Sequence, residues 1–230
     1  MKLKQLKQLS NSLTIAYTTA GSTDQRFLKS IIAKVFEEVA YGGCQDSIDI
    51  FDPVFIRFPK KDDFVRSLVE VSIEAYKIGI NVLCVHVDAD DKSDKKVTQL
   101  KLDPAFMAID KEQDNNICKN LVAIIPIRMT EAWMLADTDL LKDEIGTGLS
   151  NTHLGISRSP ELITDPKKNI EIALSIAQAH LPERRKKILI EDLYQPIGQK
   201  VTIEKLETLS SFNKFKISVE EALRKLNYLT

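Results

Sequence analysis

Apolar residues in this chain gather in short runs that do not alternate with polar ones. Between the runs, apolar positions recur at three- and four-residue spacing. The runs, at residues 13–17, 53–58, 81–87 and 121–127, fit strands buried on both faces. The spaced segments fit amphipathic helices over residues 24–39, 62–78 and 130–137, the last continuing to 145. Residues 92–111 read less simply, because Asp103-Pro104 has the form of a cap and first helical turn within them. Strands alternating with helices predict the α/β class, a mostly parallel sheet flanked by helices.

Beyond residue 150 the strand signals fade. Asp165-Pro166 predicts a helix start, with proline at the first helical position and Pro182 as the stop. Ser218 with Glu221 has the pattern of a capping box ahead of EALRKLNYL. Residues 151–230 therefore read as a helical extension packed on an α/β domain of residues 1–150, with no internal repeat or low-complexity linker between them.

The composition narrows the function classes. The chain has 230 residues, 43% of them hydrophobic and 28% charged, which supports a large core and a solvated surface. No stretch approaches the ~20 continuous apolar residues of a membrane span. The opening MKLKQLKQLS lacks the apolar segment of a secretory signal. Cys44, Cys84 and Cys118 have neither paired nor metal-ligand spacing, so reduced thiols in a cytoplasmic protein are expected. A net charge of −1 excludes coating of nucleic acid by bulk electrostatics. Local basic runs remain, above all Arg184, Arg185, Lys186 and Lys187, which serve either a nucleic-acid contact or a solvated helix face.

Candidate chemistry lies where three predicted strands end, because open parallel sheets bind ligands outside the carboxyl ends of their strands. The first end reads TTAGSTD. Gly21 permits a tight turn there, Ser22 with Gln25 can cap the next helix, and its amides can cradle an anion. The second reads VLCVHVDADD. In extended chain Asp88 and Asp90 project to one side, and two carboxylates so placed call for a hard cation such as Mg2+ or Mn2+. The third reads IPIRMTEAWMLAD, with Glu131 at a helix start. Asp137 is expected as an N-cap, Trp133, Met134 and Leu135 as core, and His86 as a satisfied buried histidine.

In order and placement these elements resemble the Toprim superfamily, the metal-binding domain of topoisomerases, primases and OLD-family nucleases. They are most similar to a Toprim-like group of bacterial proteins encoded beside an ATPase in phage-defence loci. The likeness covers residues 13–145, with a weaker echo in SPELITDPKK. Gly21 and Asp24 match the first motif, Asp88 and Asp90 the Asp-x-Asp motif, and Glu131 through Asp137 the pattern of the defence group. The chain departs at one place, Ala20, where the family carries a glutamate that acts as metal ligand and general acid or base.

The resemblance implies a Toprim nuclease effector that cuts DNA or RNA with two divalent ions, triggered through a neighbouring ABC- or AAA-type ATPase. Asp88 and Asp90 would hold metal, Glu131 would support the second site, and Lys167 or Lys168 would stabilise the charged transition state. A homodimer is compatible with it. Ala20 then marks either a deliberately silenced nuclease or a non-catalytic Toprim scaffold that binds and regulates the ATPase. A phospho-acceptor receiver domain is disfavoured, since it needs an acidic pair at the end of the first strand and TTAG has none.

Overall fold

The structure is a computed structural model describing residues 12–19, 21–44, 47–59, 63–113, 116–179, 182 and 187–229. Ala20, Arg184, Arg185 and Lys186 lie outside the described residues. Six strands are described: β1 (Ser12–Leu13), β2 (Ile15–Thr18), β3 (Asp49–Ile50), β4 (Val54–Phe55), β5 (Val82–His86) and β6 (Leu121–Ile124). The main sheet has the order β4-β2-β5-β6 and is parallel throughout, with β1 and β3 forming a separate parallel pair. The fold is therefore α/β with a Rossmann-like parallel sheet between helices.

The helices on either face follow from which side each strand residue takes. Ile15, Tyr17, Val82, Cys84, Val122 and Ile124 share one core with α1 (Ser22–Gly43). Ala16, Leu83 and Val85 share the other with α2 (Phe64–Lys77). Asp63 caps α2, its carboxylate accepting from the Arg66 N–H at 3.0 Å. The 92–111 region is helical on both sides of Pro104. A turn α3 (Lys95–Val97) runs through a π-turn (Thr98–Leu102) into α4 (Asp103–Lys111). Proline has no N–H for the ladder, and a wide turn just ahead of it absorbs the missing bond. Asp103-Pro104 is thus the first turn of α4, as expected, but the cap position falls on Leu102 and the π-turn runs directly into it.

Short helices follow β6: α5 (Glu131–Met134), α6 (Thr138–Ile145) and α7 (Asn151–Leu154). Asp137 is the N-cap of α6, accepting from the Leu140 N–H at 3.0 Å. Asp165 caps α8 (Pro166–Ala177) through the Lys168 N–H at 2.9 Å. The chain then forms α9 (Tyr194–Lys200), α10 (Ile203–Leu206) and α11 (Ser210–Lys225). Ser218 and Glu221 sit in the middle of α11, so the capping box read there does not form. The apolar stripe Phe212, Phe215, Val219, Leu223 runs straight through it.

The extension shares the core of the sheet's α1 face. Both α9 and α11 pack on α1, and α11 also covers β6. Fully buried Trp133 ties these parts together. Its Nε1–H donates to Ser211 Oγ at 2.8 Å, and its ring meets Phe212 edge-on at 5.3 Å. Met134 and Leu135 are buried beside it, and Cys44, Cys84 and Cys118 are free thiols. Among the described residues no helix is long and apolar enough to cross a membrane.

Candidate functional site

The chain leaves β2 for β4 on one side of the sheet and returns to β5 on the other. The carboxyl ends of β2 and β5 therefore flank the topological switch point, where such sheets form their ligand crevice. The TTAGSTD turn and the DxD loop follow β2 and β5, and Glu131 follows β6, which pairs in parallel with β5.

At the end of β2, Thr19 Oγ1 donates to the Gly21 carbonyl at 2.7 Å and closes the turn. Gly21 itself is the N-cap of α1, in an extended conformation and with no side-chain cap bond, so the helix opens at Ser22. Ser22 is therefore the first helical residue and not the cap of the expected Ser22–Gln25 box. The Asp24 carboxylate folds back over the turn, where a Cβ at position 21 would meet it and make that side chain swing aside. An acid thus faces this helix N-terminus, favoured by the helix dipole, in place of the anion the loop's form suggests.

At the end of β5, His86 and Asp88 project to one side and are held by Thr130. The Thr130 N–H donates to Asp88 Oδ1 at 2.9 Å. Thr130 Oγ1 lies 3.0 Å from His86 Nε2, which is itself 3.4 Å from Asp88 Oδ1. Burial opposes charge on His86, but the hydrogen bond and field of Asp88, with Asp24 and Glu131 behind it, raise its pKa above the ordinary value. Nδ1 of His86 is buried without a partner among the described residues, so this histidine is only half satisfied.

Two steps further on, the extended geometry expected of the DxD pair ends. Asp90 has φ 52° and Arg128, on the facing loop, has φ 67°. The loops are zipped together: the Asp90 N–H donates to the Arg128 carbonyl at 2.9 Å, and the Arg128 N–H to the Asp91 carbonyl at 3.1 Å. Left-handed non-glycine residues cost about 1–3 kcal/mol each, so the double reversal is sustained by this pairing. Asp88, Asp90 and Asp91 still border one cleft of about 230 Å³, with Lys96 and Lys101 on its wall.

Glu131 begins α5 and is only 6% exposed. Burial raises its pKa; the Tyr194 hydroxyl, which donates to Oε1, pulls the other way, and the charges of Asp88 and Asp24 raise it further. Tyr194 is raised too, by burial first and then by Glu131. The charges of Asp24 and Asp88 thus both reach Glu131 from other chain segments. Among the described residues none of the three has a lysine or arginine ion-pair partner.

Such hard oxygen donors suit Mg2+ or Mn2+. Yet among the described residues no three His, Cys, Asp or Glu side chains gather closely enough to hold a metal ion. The donor chemistry fits a divalent cation and the ligand count falls short. The side chain of alanine at position 20, next to Gly21 in sequence, carries no oxygen.

Lys167 and Lys168 are exposed in the first turn of α8, and among the described residues no hydrogen bond or ion pair joins either to the acidic cluster by its side chain. Lys187 is exposed beside Ile188, whose N–H donates to Gln178 Oε1 at 2.8 Å. The sequence reading missed Tyr194 and Thr130. Thr130 directly precedes Glu131 and was within reach of inspection, but Tyr194 comes from the extension with no motif around it. No protein-family model matches this chain, and no curated protein or solved structure matches it significantly.

Proposed function

We propose that this chain is a Toprim-type, divalent-metal-dependent nuclease framework, silenced by Ala20, which serves as a cytoplasmic effector of anti-phage defence gated by a partner ATPase. The observation that carries the reading is that buried Glu131 and half-buried Asp88 lie within reach of one another's charge and of Asp24, with no lysine or arginine ion-pair partner among the described residues and only His86 beside Asp88. Buried and half-buried carboxylates repel one another unless a cation lies between them. Free thiols at Cys44, Cys84 and Cys118 suit a reducing compartment.

Asp88, Asp90 and Glu131 are the residues that would hold Mg2+ or Mn2+. A bound ion supplies Lewis-acid stabilisation and an activated water for phosphodiester cleavage. The chain's own residues orient the donors: Thr130 and His86 fix the Asp88 carboxylate, and Tyr194 fixes that of Glu131. Lys96 and Lys101, on the cleft wall beside the aspartates, are better placed than Lys167 to meet a substrate phosphate.

Ala20 and the incomplete ligand set favour a second reading, a non-catalytic scaffold for the ATPase. Calorimetric titration with Mn2+ separates the two. Ala20→Glu should tighten binding at least tenfold, and Asp88→Ala in that background should abolish it. Equal Mn2+ affinity with and without the glutamate, together with co-elution of the full chain with the ATPase, would leave the scaffold reading.

A further inference from the structure

A second cleft, of about 420 Å³, lies between α1 and α9. Its volume falls in the range of roughly 300–1,000 Å³ found for small-ligand sites. Gln25, Arg26 and Lys29 line it from α1, Gln195 and Gln199 from α9, and Tyr17 from β2. The positions within each helix follow helical spacing, so each wall is one continuous face.

The walls are fixed in advance. Gly198 brings α9 against α1 so closely that a Cβ there would lie 2.6 Å from the Phe27 carbonyl oxygen. Lys34 of α1 then caps the end of α9, donating to the carbonyls of Gln199 and Val201 at 2.7 Å each. The Tyr17 hydroxyl donates to the Gln25 carbonyl at 3.1 Å, tying the strand to the wall.

Both walls start at the acidic site. Gln25 follows Asp24, and Gln195 follows Tyr194, the residue that donates to Glu131. The lining changes sign away from the acids. Arg26 is exposed and has no ion-pair partner among the described residues, and Lys29 pairs at 3.2 Å with Asp52, an exposed carboxylate that lines the same cleft. An exposed pair of that kind is readily exchanged for another anion. Three glutamine amides, each able to donate and accept, complete the lining, a set suited to base edges and sugar hydroxyls.

We infer that the α1–α9 cleft is a nucleotide subsite, holding one unit of a single strand that leads away from the acidic centre. Arg26 and Lys29 take its phosphate, and Gln25, Gln195 and Gln199 take its base or sugar. The inference rests on the nuclease reading for its direction, but its binding chemistry needs no metal and no Glu at position 20.

Fluorescence anisotropy with a labelled 12-nucleotide single strand, in excess chelator, tests it on the full chain as it stands. Arg26→Glu should weaken binding at least tenfold, while Lys225→Glu at the exposed end of α11 should leave it within twofold. Gln195→Ala with Gln199→Ala should change the preference among oligo-dT, oligo-dA and oligo-dC. Circular dichroism confirms that each variant is folded, and Arg26→Gln repeats the loss without charge reversal. Equal weakening by Arg26→Glu and Lys225→Glu, or no binding at all, overturns the subsite. A mononucleotide that competes as well as the strand, unit for unit, overturns the strand and leaves a free-nucleotide pocket. Success here with a persistently inert Ala20→Glu variant would sink the nuclease reading alone.

Discussion

Replacing Tyr194 by Phe removes one hydroxyl and leaves the ring in place, which isolates the contact between the extension and Glu131. The hydroxyl donates to a carboxyl group that is 6% exposed. Above the raised pKa of Glu131 the acceptor is a carboxylate, and a hydrogen bond to a charged group is worth about 1.5–3 kcal/mol. At pH 4, below the ordinary glutamate value, the acid is protonated and a neutral bond is worth about 0.5–1.5 kcal/mol. Tyr194→Phe should therefore cost about 2 kcal/mol at pH 8 and about 1 kcal/mol at pH 4. In a chain of this size the alkaline loss corresponds to about 4–8 °C in Tm.

The sign of the background is fixed by the same shift. A glutamate whose folded pKa is raised contributes stability that is fully present below its unfolded value and is lost as pH rises through the folded pKa. Tyr194 partly offsets that loss, so the wild type and the variant should diverge as pH increases. Urea unfolding at the two pH values measures both. In a Glu131→Gln background the Tyr194→Phe penalty should stay near 1 kcal/mol and lose its pH dependence. A penalty equal at pH 4 and pH 8, or larger at pH 4, would refute the assignment of Tyr194 to the Glu131 carboxylate.

Two further outcomes follow from single contacts. Gly198→Ala forces a methyl against the Phe27 backbone, and overpacking of this kind should cost about 1–3 kcal/mol in chemical unfolding and widen the α1–α9 cleft. His86, held by Asp88, should titrate above its ordinary value in an NMR pH series, and Asp88→Asn should lower its pKa. Its contribution to stability should be present below the unfolded histidine value and fade as pH rises through the folded one.

Much of this geometry was legible in residue order. Buried strands reveal themselves because both faces must be apolar, and Asp137 and Asp165 cap helices through short local bonds. What local pattern does not encode is a choice between competing partners. Ser218 and Glu221 have the letters of a cap, yet burying Phe215, Val219 and Leu223 on one stripe outweighs ending the helix. Asp90 would be extended by alternation alone, but pairing of its N–H with the Arg128 carbonyl reverses it. Tyr194 reaches Glu131 across 63 residues of sequence, and no periodicity announces such a contact.

The central claim is that one missing carboxylate separates this site from a working metal nuclease. Ala20→Glu, purified beside the wild type and beside Ala20→Glu with Asp88→Ala, should be incubated with Mg2+ or Mn2+ and with plasmid DNA, single-stranded DNA and total RNA, with and without any ATPase found encoded beside it. Metal-dependent cleavage by Ala20→Glu alone, lost on chelation and absent from the other two proteins, is the predicted result. Cleavage by none of the three under any of these conditions, or cleavage that survives Asp88→Ala, would contradict it.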